Sequence, residues 1–258
     1  MRFKDKVALV TGSGRGIGRA IALGFAQEGA DLVINYFRNR GPAENTAEYI
    51  RSLGRNAIVV KANVGDIQGI DTLFHAVEET YGYLDIFVSN AAFGYNRPAL
   101  KQRPKGWDWT MNINARSLLF CAQKAVPLMK GRGGGYIVSI SSAGSFRVLP
   151  DYVVVGASKA ALETITRYLA VELGPLGISV NAVSPGIVET EALQHFDIMK
   201  DQTIIPQVIA NTPACRIATP EDVANVVTFL CTSEAEMIRR QTIIADGGYT
   251  LPIQGVIT

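Results

Sequence analysis

The chain has 258 residues, of which 48% are hydrophobic and 19% are charged, and its net charge is +2 at pH 7. This length suits one well-buried α/β domain or two small ones. The mild charge gives no argument for a nucleic-acid partner, so we expect none. The three cysteines are widely spaced and odd in number, which argues against a disulfide framework and offers no metal-binding spacing.

The N-terminal segment MRFKDKVALV has a basic start, but it lacks a long apolar run and a small-residue cleavage site. We interpret it as a first strand and not as a signal peptide. No stretch of the sequence approaches the roughly 18 apolar residues that span a bilayer. The sequence therefore predicts a soluble, cytoplasmic protein without a membrane partner.

Seven short apolar runs recur along the chain, and helical patterns lie between them. Most are rich in β-branched residues, as buried parallel strands are. Strand–helix alternation predicts a doubly wound parallel sheet in one Rossmann-type domain over residues 1–258, because no linker or short-period repeat interrupts it. The runs are VALV (7–10), LVIN (32–35), AIVV (57–60), IFVS (86–89), YIVSI (136–140), SVNAV (179–183) and TIIA (242–245).

Helix boundaries are marked at several points. Thr219-Pro220-Glu221-Asp222 combines a capping residue, a first-turn proline and early acids, so it predicts the start of the last helix. Gly29 and Gly54 stand where the first two helices are expected to stop.

The longest stretch without clear strand character, about 186–218, precedes that last helix. In doubly wound sheets, ligands bind beyond the carboxyl ends of the strands. Long insertions in compact domains also tend to be functional, so we interpret the stretch as a mobile substrate lid. An inert surface excursion is the alternative. The stretch contains His195, which could touch substrate.

A glycine-rich segment, TGSGRGIG (11–18), follows the first predicted strand and opens a helix. Glycines let the backbone turn tightly and approach a pyrophosphate, and the helix start offers free N–H groups and a positive dipole end. A glycine cluster alone is a weak signal, but its position between a strand and a helix predicts a phosphate-binding loop.

The segment matches T-G-x-x-x-G-x-G, and with several further motifs in order the whole chain resembles the short-chain dehydrogenase/reductase family. Asn90-Ala91-Ala92 follows the fourth strand, Asn63-Val64 stands where the family contacts adenine, and Pro185-Gly186 with Thr190 matches the loop around the nicotinamide. The resemblance implies a seven-stranded parallel sheet flanked by helices. It also implies that a nicotinamide cofactor is held by Gly12, Ser13, Arg15, Gly16, Ile17, Gly18, Arg38, Asn63, Val64, Asn90, Ala91, Lys159, Pro185, Gly186, Ile187 and Thr190.

The end of the second strand favours NADPH as that cofactor. NAD enzymes usually place an acid there to bind the ribose 2′-hydroxyl. Here the region reads INYFRNR (34–40), with Arg38 and Arg40 but no acid, and Arg15 lies in the glycine loop. An arginine fork suits the 2′-phosphate of NADPH. The alternative is that these arginines are ordinary solvated charges, and the contribution of Arg40 stays open.

The segment DYVVVGASKA (151–160) places Tyr152 seven residues before Lys159. Family members that act on carbonyls carry Y-x-x-x-K, with a serine about thirteen residues before the tyrosine. Here Ser142 lies thirteen residues before Val155 and ten before Tyr152. Asn114 aligns with the helix asparagine that supports a proton-relay water in the family, with Asn112 as a neighbouring possibility. The resemblance thus implies four catalytic residues: Tyr152, Lys159, Ser142 and Asn114.

The displaced tyrosine has a geometric interpretation. A four-residue helical step leaves side chains about 40° apart and a seven-residue step about 20°, so Tyr152 and Lys159 share a face if helical geometry reaches Tyr152. The displacement moves the hydroxyl by about 4.5 Å along the axis. In reduction of an α,β-unsaturated thioester, hydride adds to the β-carbon and negative charge develops on the thioester oxygen, several bonds away. A displaced hydroxyl therefore favours conjugate reduction over carbonyl reduction.

The spacing Y-x-x-x-x-x-x-K is also that of enoyl-acyl-carrier-protein reductases. The segments GASKAALETITRYLAVEL (156–173) and MIRRQTIIADGG (237–248) resemble the bacterial NADPH-dependent type III of these enzymes. One departure is that Ser142 stands where many other enoyl reductases carry a second tyrosine. The resemblance implies reduction of the 2,3 double bond of enoyl thioesters in fatty-acid synthesis.

Two other functions stay open. One is a 3-oxoacyl-thioester reductase or other carbonyl reductase, and the second is a non-catalytic NADP-binding regulator. The expected substrate is an acyl thioester carried on acyl carrier protein, with coenzyme A as the other carrier. The family usually pairs through the helices that hold Asn114 and Lys159, so the resemblance implies a homotetramer or homodimer.

Overall fold

Seven strands form one sheet in the order β3-β2-β1-β4-β5-β6-β7. The computed structural model of the chain describes residues 1–191, 193 and 203–251. Every neighbouring pair of strands is parallel, which confirms the predicted doubly wound sheet. The strands are β1 (Val7–Val10), β2 (Asp31–Tyr36), β3 (Ala57–Lys61), β4 (Ile86–Ser89), β5 (Gly135–Ile140), β6 (Ile178–Pro185) and β7 (Thr242–Ala245).

Helices cover both faces of this sheet. Buried side chains of the first, second and last helices pack on one face, and those of the third, fifth and sixth pack on the other. Alternate residues of β1 show the division, because Ala8 and Val10 belong to one core and Leu9 to the other. The helices are α1 (Gly16–Gln27), α2 (Arg40–Ser52), α3 (Ile67–Tyr81), α4 (Pro104–Met111), α5 (Ser117–Lys130), α6 (Val153–Leu173), α7 (Ile204–Ala210) and α8 (Pro220–Leu230).

The predicted helix boundaries agree with the structure. Thr219 caps α8 by accepting a hydrogen bond from the Asp222 N–H, and the Asp222 side chain accepts one from the Thr219 N–H. This reciprocal pair satisfies two backbone donors that the helix itself leaves free. Gly29 and Gly54, beyond the ends of α1 and α2, adopt φ angles of 102° and 78°, which glycine adopts without steric strain.

The strand order reverses between β1 and β4, because β1 pairs with β2 on one side and β4 on the other. A crevice therefore opens beyond the carboxyl ends of β1 and β4. Thr11 joins its two walls, since its hydroxyl oxygen accepts hydrogen bonds from the N–H groups of Asn90 at 2.9 Å and Ala91 at 3.0 Å. The glycine loop and the Asn90 segment are thus held together at the point where this fold binds ligands.

The interpreted lid, 186–218, is described only in part, because residues 192 and 194–202, including His195, lie outside the described residues. Its two ends lie side by side. Val188 forms a parallel bridge with Ala218, and the Glu189 N–H donates to the Ala218 carbonyl at 2.9 Å. The two ends of the segment are therefore adjacent, and its movement as a lid stays a prediction.

The helices of the protein differ from membrane-spanning helices. Among those in the described ranges, none combines the length and the apolar character that crossing a bilayer requires.

Two glycines of α1 provide a test of how closely this helix approaches the crevice. A Cβ added at Gly18 would lie 2.4 Å from Asn90 Nδ2 and 2.5 Å from the Gly12 carbonyl oxygen, whereas one added at Gly24 would lie 3.3 Å from Thr228 Cγ2. We expect Gly18→Ala to lower the free energy of unfolding by about 2 kcal/mol or more through overpacking.

Gly24→Ala is the matched control on the same helix. Its small clash is offset by alanine's better helix propensity, so a change within about 1 kcal/mol is expected. Urea unfolding followed by circular dichroism gives both values. Equal values for the two variants would contradict the close approach at Gly18.

Candidate active site

Tyr152 stands at the N-terminal end of α6. The helix begins at Val153, and Tyr152 is its N-cap residue, with φ −109° and ψ 11°. The Tyr152 carbonyl accepts the first helical hydrogen bond from the Gly156 N–H at 2.8 Å. The helical hydrogen bonding therefore begins at the Tyr152 carbonyl, although the backbone angles of Tyr152 are not helical, and that Tyr152 and Lys159 share one face stays a prediction. Before Tyr152, Asp151 adopts a left-handed φ of 59°, and its carbonyl is fixed by the Arg97 N–H at 2.8 Å.

The phenol ring of Tyr152 lies on the turn that follows β5. A Cβ added at Gly144 would lie 2.7 Å from ring atoms Cδ1 and Cε1, so the ring occupies space that any other residue at 144 would fill. The side chains of Tyr152 and Ser142 are hydrogen-bonded. Burial raises the pKa of Tyr152, and the bond with Ser142 acts in the opposite direction. The phenol is thus neutral near pH 7 and can donate a proton or a hydrogen bond.

Lys159 lies two turns further along α6, with its side chain directed at the end of β5. It is 5% exposed, and its Nζ donates to the Ile140 carbonyl at 2.6 Å. Burial lowers the pKa of Lys159 to about 8, while Glu163 acts to raise it. The ammonium form therefore prevails at pH 7 but is lost under mildly alkaline conditions.

Val155 occupies the position four residues before Lys159. It is buried, with 4% of its surface exposed. Its Cγ2 lies 2.7 Å from the place where a Cβ on Gly94 would stand, so the side chain packs closely against the loop after β4. This position contributes hydrocarbon packing and no proton donor. The hydroxyl at this end of α6 belongs to Tyr152.

Asn114 lies in a π turn, Asn112–Arg116, between α4 and α5. Such turns are frequent at functional sites. The buried side chain accepts a hydrogen bond from the Phe93 N–H at 2.8 Å and donates to the Phe93 carbonyl and the Ser158 hydroxyl, both at 2.9 Å. Both amide protons are therefore engaged, and Asn114 fixes the loop after β4 to α6. Its expected support of a water stays a prediction.

The glycine loop has the form of a phosphate cradle. Gly12 and Gly16 adopt φ angles of 64° and 55°, and a Cβ on Gly16 would lie 3.6 Å from Thr190 Cγ2, in the gap between the two loops. The N-cap residue of α1, Arg15, makes no side-chain cap hydrogen bond. The first N–H groups of α1 are thus available to an anion. These features fit the pyrophosphate of a nicotinamide dinucleotide.

The other residues expected at the cofactor lie around this cradle in three groups. Ser13 is turned inward, where its hydroxyl donates to the Val10 carbonyl and accepts from the Asn35 N–H. Ile17 packs partly on the core. Asn90 Nδ2 donates to the carbonyls of Thr11 and Gly12. Ser13 and Asn90 thus shape the loop with their side chains.

A second group lies at the end of β3. Asn63 Oδ1 accepts a hydrogen bond from the Gly65 N–H at 3.0 Å, and Val64 is 5% exposed. The third group follows β6, where Pro185 ends the strand. Gly186 lies against Asp246, and the Ile187 carbonyl accepts from the Ala218 N–H. The structure brings all three groups to one edge of the sheet, and their contacts with a cofactor stay predictions.

The three arginines differ in their surroundings. Arg15 Nη1 lies 3.4 Å from Glu191 Oε2, and both side chains are largely exposed. Arg40 pairs with Glu44 one turn along α2 at 2.9 Å. Arg38 is exposed beyond β2 and has no ion-pair partner within the described ranges. Arg38 is thus the arginine that is free to meet a ligand without first leaving a carboxylate.

The sequence indicated none of the contacts that surround the four expected catalytic residues. Gly144 lies under the Tyr152 ring, and Glu163 accepts hydrogen bonds from Ser141 and Ser145. The available signal is the four-residue spacing of Lys159 and Glu163, which places them on one face of α6. That signal gives no hint of the serine partners, because these approach from a different element.

A family model described as Enoyl-(Acyl carrier protein) reductase matches residues 12–250. The chain is 37% identical to 1-cyclohexenylcarbonyl-CoA reductase of Streptomyces collinus, over 96% of this chain and 88% of the relative. It is also 37% identical to versicolorin reductase stcU of Emericella nidulans, over 96% of each chain.

Solved structures of other oxidoreductases are also similar to this chain. A 7α-hydroxysteroid dehydrogenase in complex with NADH and 7-oxo glycochenodeoxycholic acid is 30% identical, with a TM-score of 0.91 over 96% of this chain and 95% of that one. A gluconate 5-dehydrogenase from Burkholderia cenocepacia J2315 in complex with NADP and tartrate is also 30% identical, with a TM-score of 0.89 over 98% of each. Sequence, fold and the arrangement of the site agree, and the chain belongs to the short-chain dehydrogenase/reductase family of NAD(P)-dependent oxidoreductases.

Proposed function

We propose that the chain reduces the 2,3 double bond of an enoyl thioester, with NADPH as the hydride donor. The observation that carries the proposal is the position of the phenol. Tyr152 caps α6 one turn before Val155 and is hydrogen-bonded to Ser142, while Val155 itself is buried hydrocarbon. The proton donor of this site therefore stands farther along the cleft than a Y-x-x-x-K tyrosine would.

This position suits a substrate in which the reacting carbon and the charged oxygen are separated. NADPH would supply a hydride to the β-carbon of the enoyl group. Tyr152, a neutral phenol whose pKa burial raises above its ordinary value, would donate a hydrogen bond to the thioester oxygen as the enolate develops. Ser142 orients that phenol. Lys159 would contribute positive charge and donors for the nicotinamide ribose.

The relatives support both thioester and carbonyl chemistry. The Streptomyces collinus relative is named for a substrate with a ring double bond conjugated to a coenzyme A thioester, which favours the enoyl proposal. The Emericella nidulans relative is named for versicolorin, and a reductase called LugOII, 35% identical, is described as catalysing keto-reduction. A carbonyl reductase is therefore the second candidate, and the tyrosine position favours the first.

The preference for NADPH rests on the end of β2. Asn35 and Tyr36 close this strand where NAD enzymes usually carry an acid, and the exposed Arg38 follows. The 2′-phosphate of NADPH would meet a cation there, whereas the ribose hydroxyl of NADH would lack its carboxylate acceptor. Arg15 would complete the site after leaving Glu191.

For the acyl carrier we propose acyl carrier protein, with coenzyme A as the other candidate, and fatty-acid synthesis in the cytoplasm as the setting. For assembly we propose a homodimer or homotetramer through α5 and α6. On α6, Tyr168 and Val171 are 67% and 66% exposed, and large side chains exposed on one helix are typical of a face that a partner covers.

The proposal predicts the substrate that Tyr152 serves. Wild type is expected to oxidise NADPH with crotonyl thioester and not with acetoacetyl thioester. In Tyr152→Phe, kcat with crotonyl thioester should fall about 10²–10³-fold, because the hydrogen bond to the developing enolate is lost. Absorbance at the NADPH band measures both reactions.

Tyr49→Phe, which removes a phenol hydroxyl from an exposed position on α2, is the control and should keep wild-type rates. Turnover of acetoacetyl thioester alone would overturn the enoyl proposal and favour the carbonyl reductase. NADPH binding without turnover of any thioester would instead favour a regulator.

The cofactor proposal predicts a selective effect of Arg38. Arg38→Ala should weaken NADPH binding about 10-fold to 100-fold, because a charge-assisted contact to phosphate contributes about 1.5–3 kcal/mol. NADH binding should not change. Arg40→Ala is the control, since Arg40 is paired with Glu44. Fluorescence titration of wild type and both variants with NADPH and NADH gives the six dissociation constants, and equal losses for NADPH and NADH in Arg38→Ala would contradict a 2′-phosphate contact.

The lowered pKa of Lys159, about 8, predicts the alkaline limb of the pH profile. The ammonium is present below pH 8 and lost above it, so kcat/KM for NADPH should fall about tenfold per pH unit beyond that point. In Lys159→Arg the limb should disappear between pH 7 and 10, because a guanidinium stays charged there. A limb that persists in this variant would belong to another group.

A further inference from the structure

Three side chains of α6 hold the turn that follows β5, residues 140–145. Lys159 Nζ donates to the Ile140 carbonyl at 2.6 Å. One turn later, Glu163 Oε1 accepts hydrogen bonds from Ser141 Oγ at 2.5 Å and Ser145 Oγ at 2.6 Å. At the start of the helix, Tyr152 lies on Gly144 and is bonded to Ser142. Hydrogen bonds and ring packing from α6 and its N-cap therefore hold the turn at both ends and in the middle.

We infer that Glu163 is a positioning residue of the active site, which fixes the turn carrying Ser142 and acts as the counter-charge of Lys159 one helical turn away. The inference rests on the catalytic roles proposed for Ser142, Tyr152 and Lys159. It does not depend on the choice between enoyl and carbonyl substrates. The family motifs described above assign no role to Glu163.

The first part of the inference follows from the geometry of the turn. Ser141 and Ser145 flank Ser142 in the chain, and a single carboxylate oxygen receives a hydrogen bond from each. Charge-assisted hydrogen bonds of this kind are stronger than neutral ones. The two ends of the turn are therefore tied to one point on α6, and Ser142 is held beneath the Tyr152 hydroxyl.

The second part follows from charge. Glu163 stands four residues after Lys159, so the two side chains lie on one face of α6, and the carboxylate favours the ammonium form against burial. At the start of α6, Tyr152 is a neutral phenol near pH 7, and Asp151 before it is exposed. The turn after β5 brings the uncharged hydroxyls of Ser141 and Ser145. The half-buried carboxylate of Glu163 is thus the counter-charge of the buried lysine.

Three variants separate the effect of Glu163 on the turn from its effect on the charge of Lys159. Glu163→Gln keeps an oxygen that accepts from both serines but removes the charge. Glu163→Ala removes both the hydrogen-bond acceptor and the charge. Ser145→Ala removes one hydrogen bond and keeps the charge. Glu172→Gln, which makes the same chemical change at an exposed position near the end of α6, is the matched control.

In Glu163→Ala, kcat is expected to fall at least about tenfold with little change in KM for the thioester, because misplacement of the proton donor affects the transition state more than binding. In Glu163→Gln, kcat at pH 7 should change about twofold to threefold, but the alkaline limb should move to lower pH by about one unit. Ser145→Ala should lower kcat slightly and leave the limb in place, and Glu172→Gln should match wild type.

A measurement of NADPH binding, which requires no turnover, tests the inference separately from the proposed function. The dissociation constant of NADPH, measured by fluorescence against pH in the absence of thioester, should show the same shift of the limb in Glu163→Gln. If wild type reduces no thioester, the proposed function fails, and this binding profile still tests Glu163. Wild-type profiles in both Glu163 variants, or a loss in Glu163→Ala that follows the melting temperature alone, would overturn the inference.

Discussion

The burial of one lysine at the carboxyl end of β5 is the constraint around which this site is built. An ammonium removed from water is unstable unless nearby groups replace the lost hydration. Here the Ile140 carbonyl accepts its hydrogen bond at 2.6 Å, and Glu163 offsets part of the effect of burial on its pKa. Both partners belong to elements that meet at one turn, 140–145. The same contacts that make a buried charge tolerable therefore also fix the turn that contains Ser142 and Gly144, against which the Tyr152 phenol lies.

The position of Tyr152 follows from how α6 begins. Asp151 takes a left-handed conformation, which short polar side chains tolerate better than most others, and the chain enters the helix at the next residue. Tyr152 then leaves its ring against Gly144, where only a residue without a side chain provides the space. One turn later Val155 packs against Gly94. The start of α6 thus offers the cleft a hydroxyl at its N-cap and hydrocarbon three residues later, and these two packing contacts keep that order.

The sheet and the helix boundaries were predictable because their signals are local. Apolar runs of β-branched residues correspond to the seven strands, and Thr219 with Asp222 caps α8 as the sequence indicates. Other contacts of the site join residues that lie 18 to 176 positions apart in the chain. They are the hydrogen bonds of Glu163 with two serines and the pairing of Arg15 with Glu191. Such pairs depend on how the elements pack, and no spacing in a single sequence specifies them. The π turn around Asn114 was missed for a related reason, because a helix with one extra residue in a turn has the same composition as one without it.

The fold is compatible with many reactions, and the residues of the site reduce the number of candidates. Relatives and structural neighbours with the same sheet are named for thioesters, steroids and sugar acids, as expected when one scaffold carries many activities. What distinguishes reduction of a carbonyl from reduction of a conjugated double bond is the distance between the carbon that accepts hydride and the oxygen that gains charge. One bond joins these two atoms in a carbonyl, whereas three bonds separate them in an enoyl thioester, so a hydroxyl placed farther from the hydride-accepting carbon suits the enoyl substrate. Under the proposed function, the reaction class depends on where one hydroxyl stands along α6, and the displaced ring needs a place to lie on the turn that faces the helix. Gly144 gives Tyr152 that place.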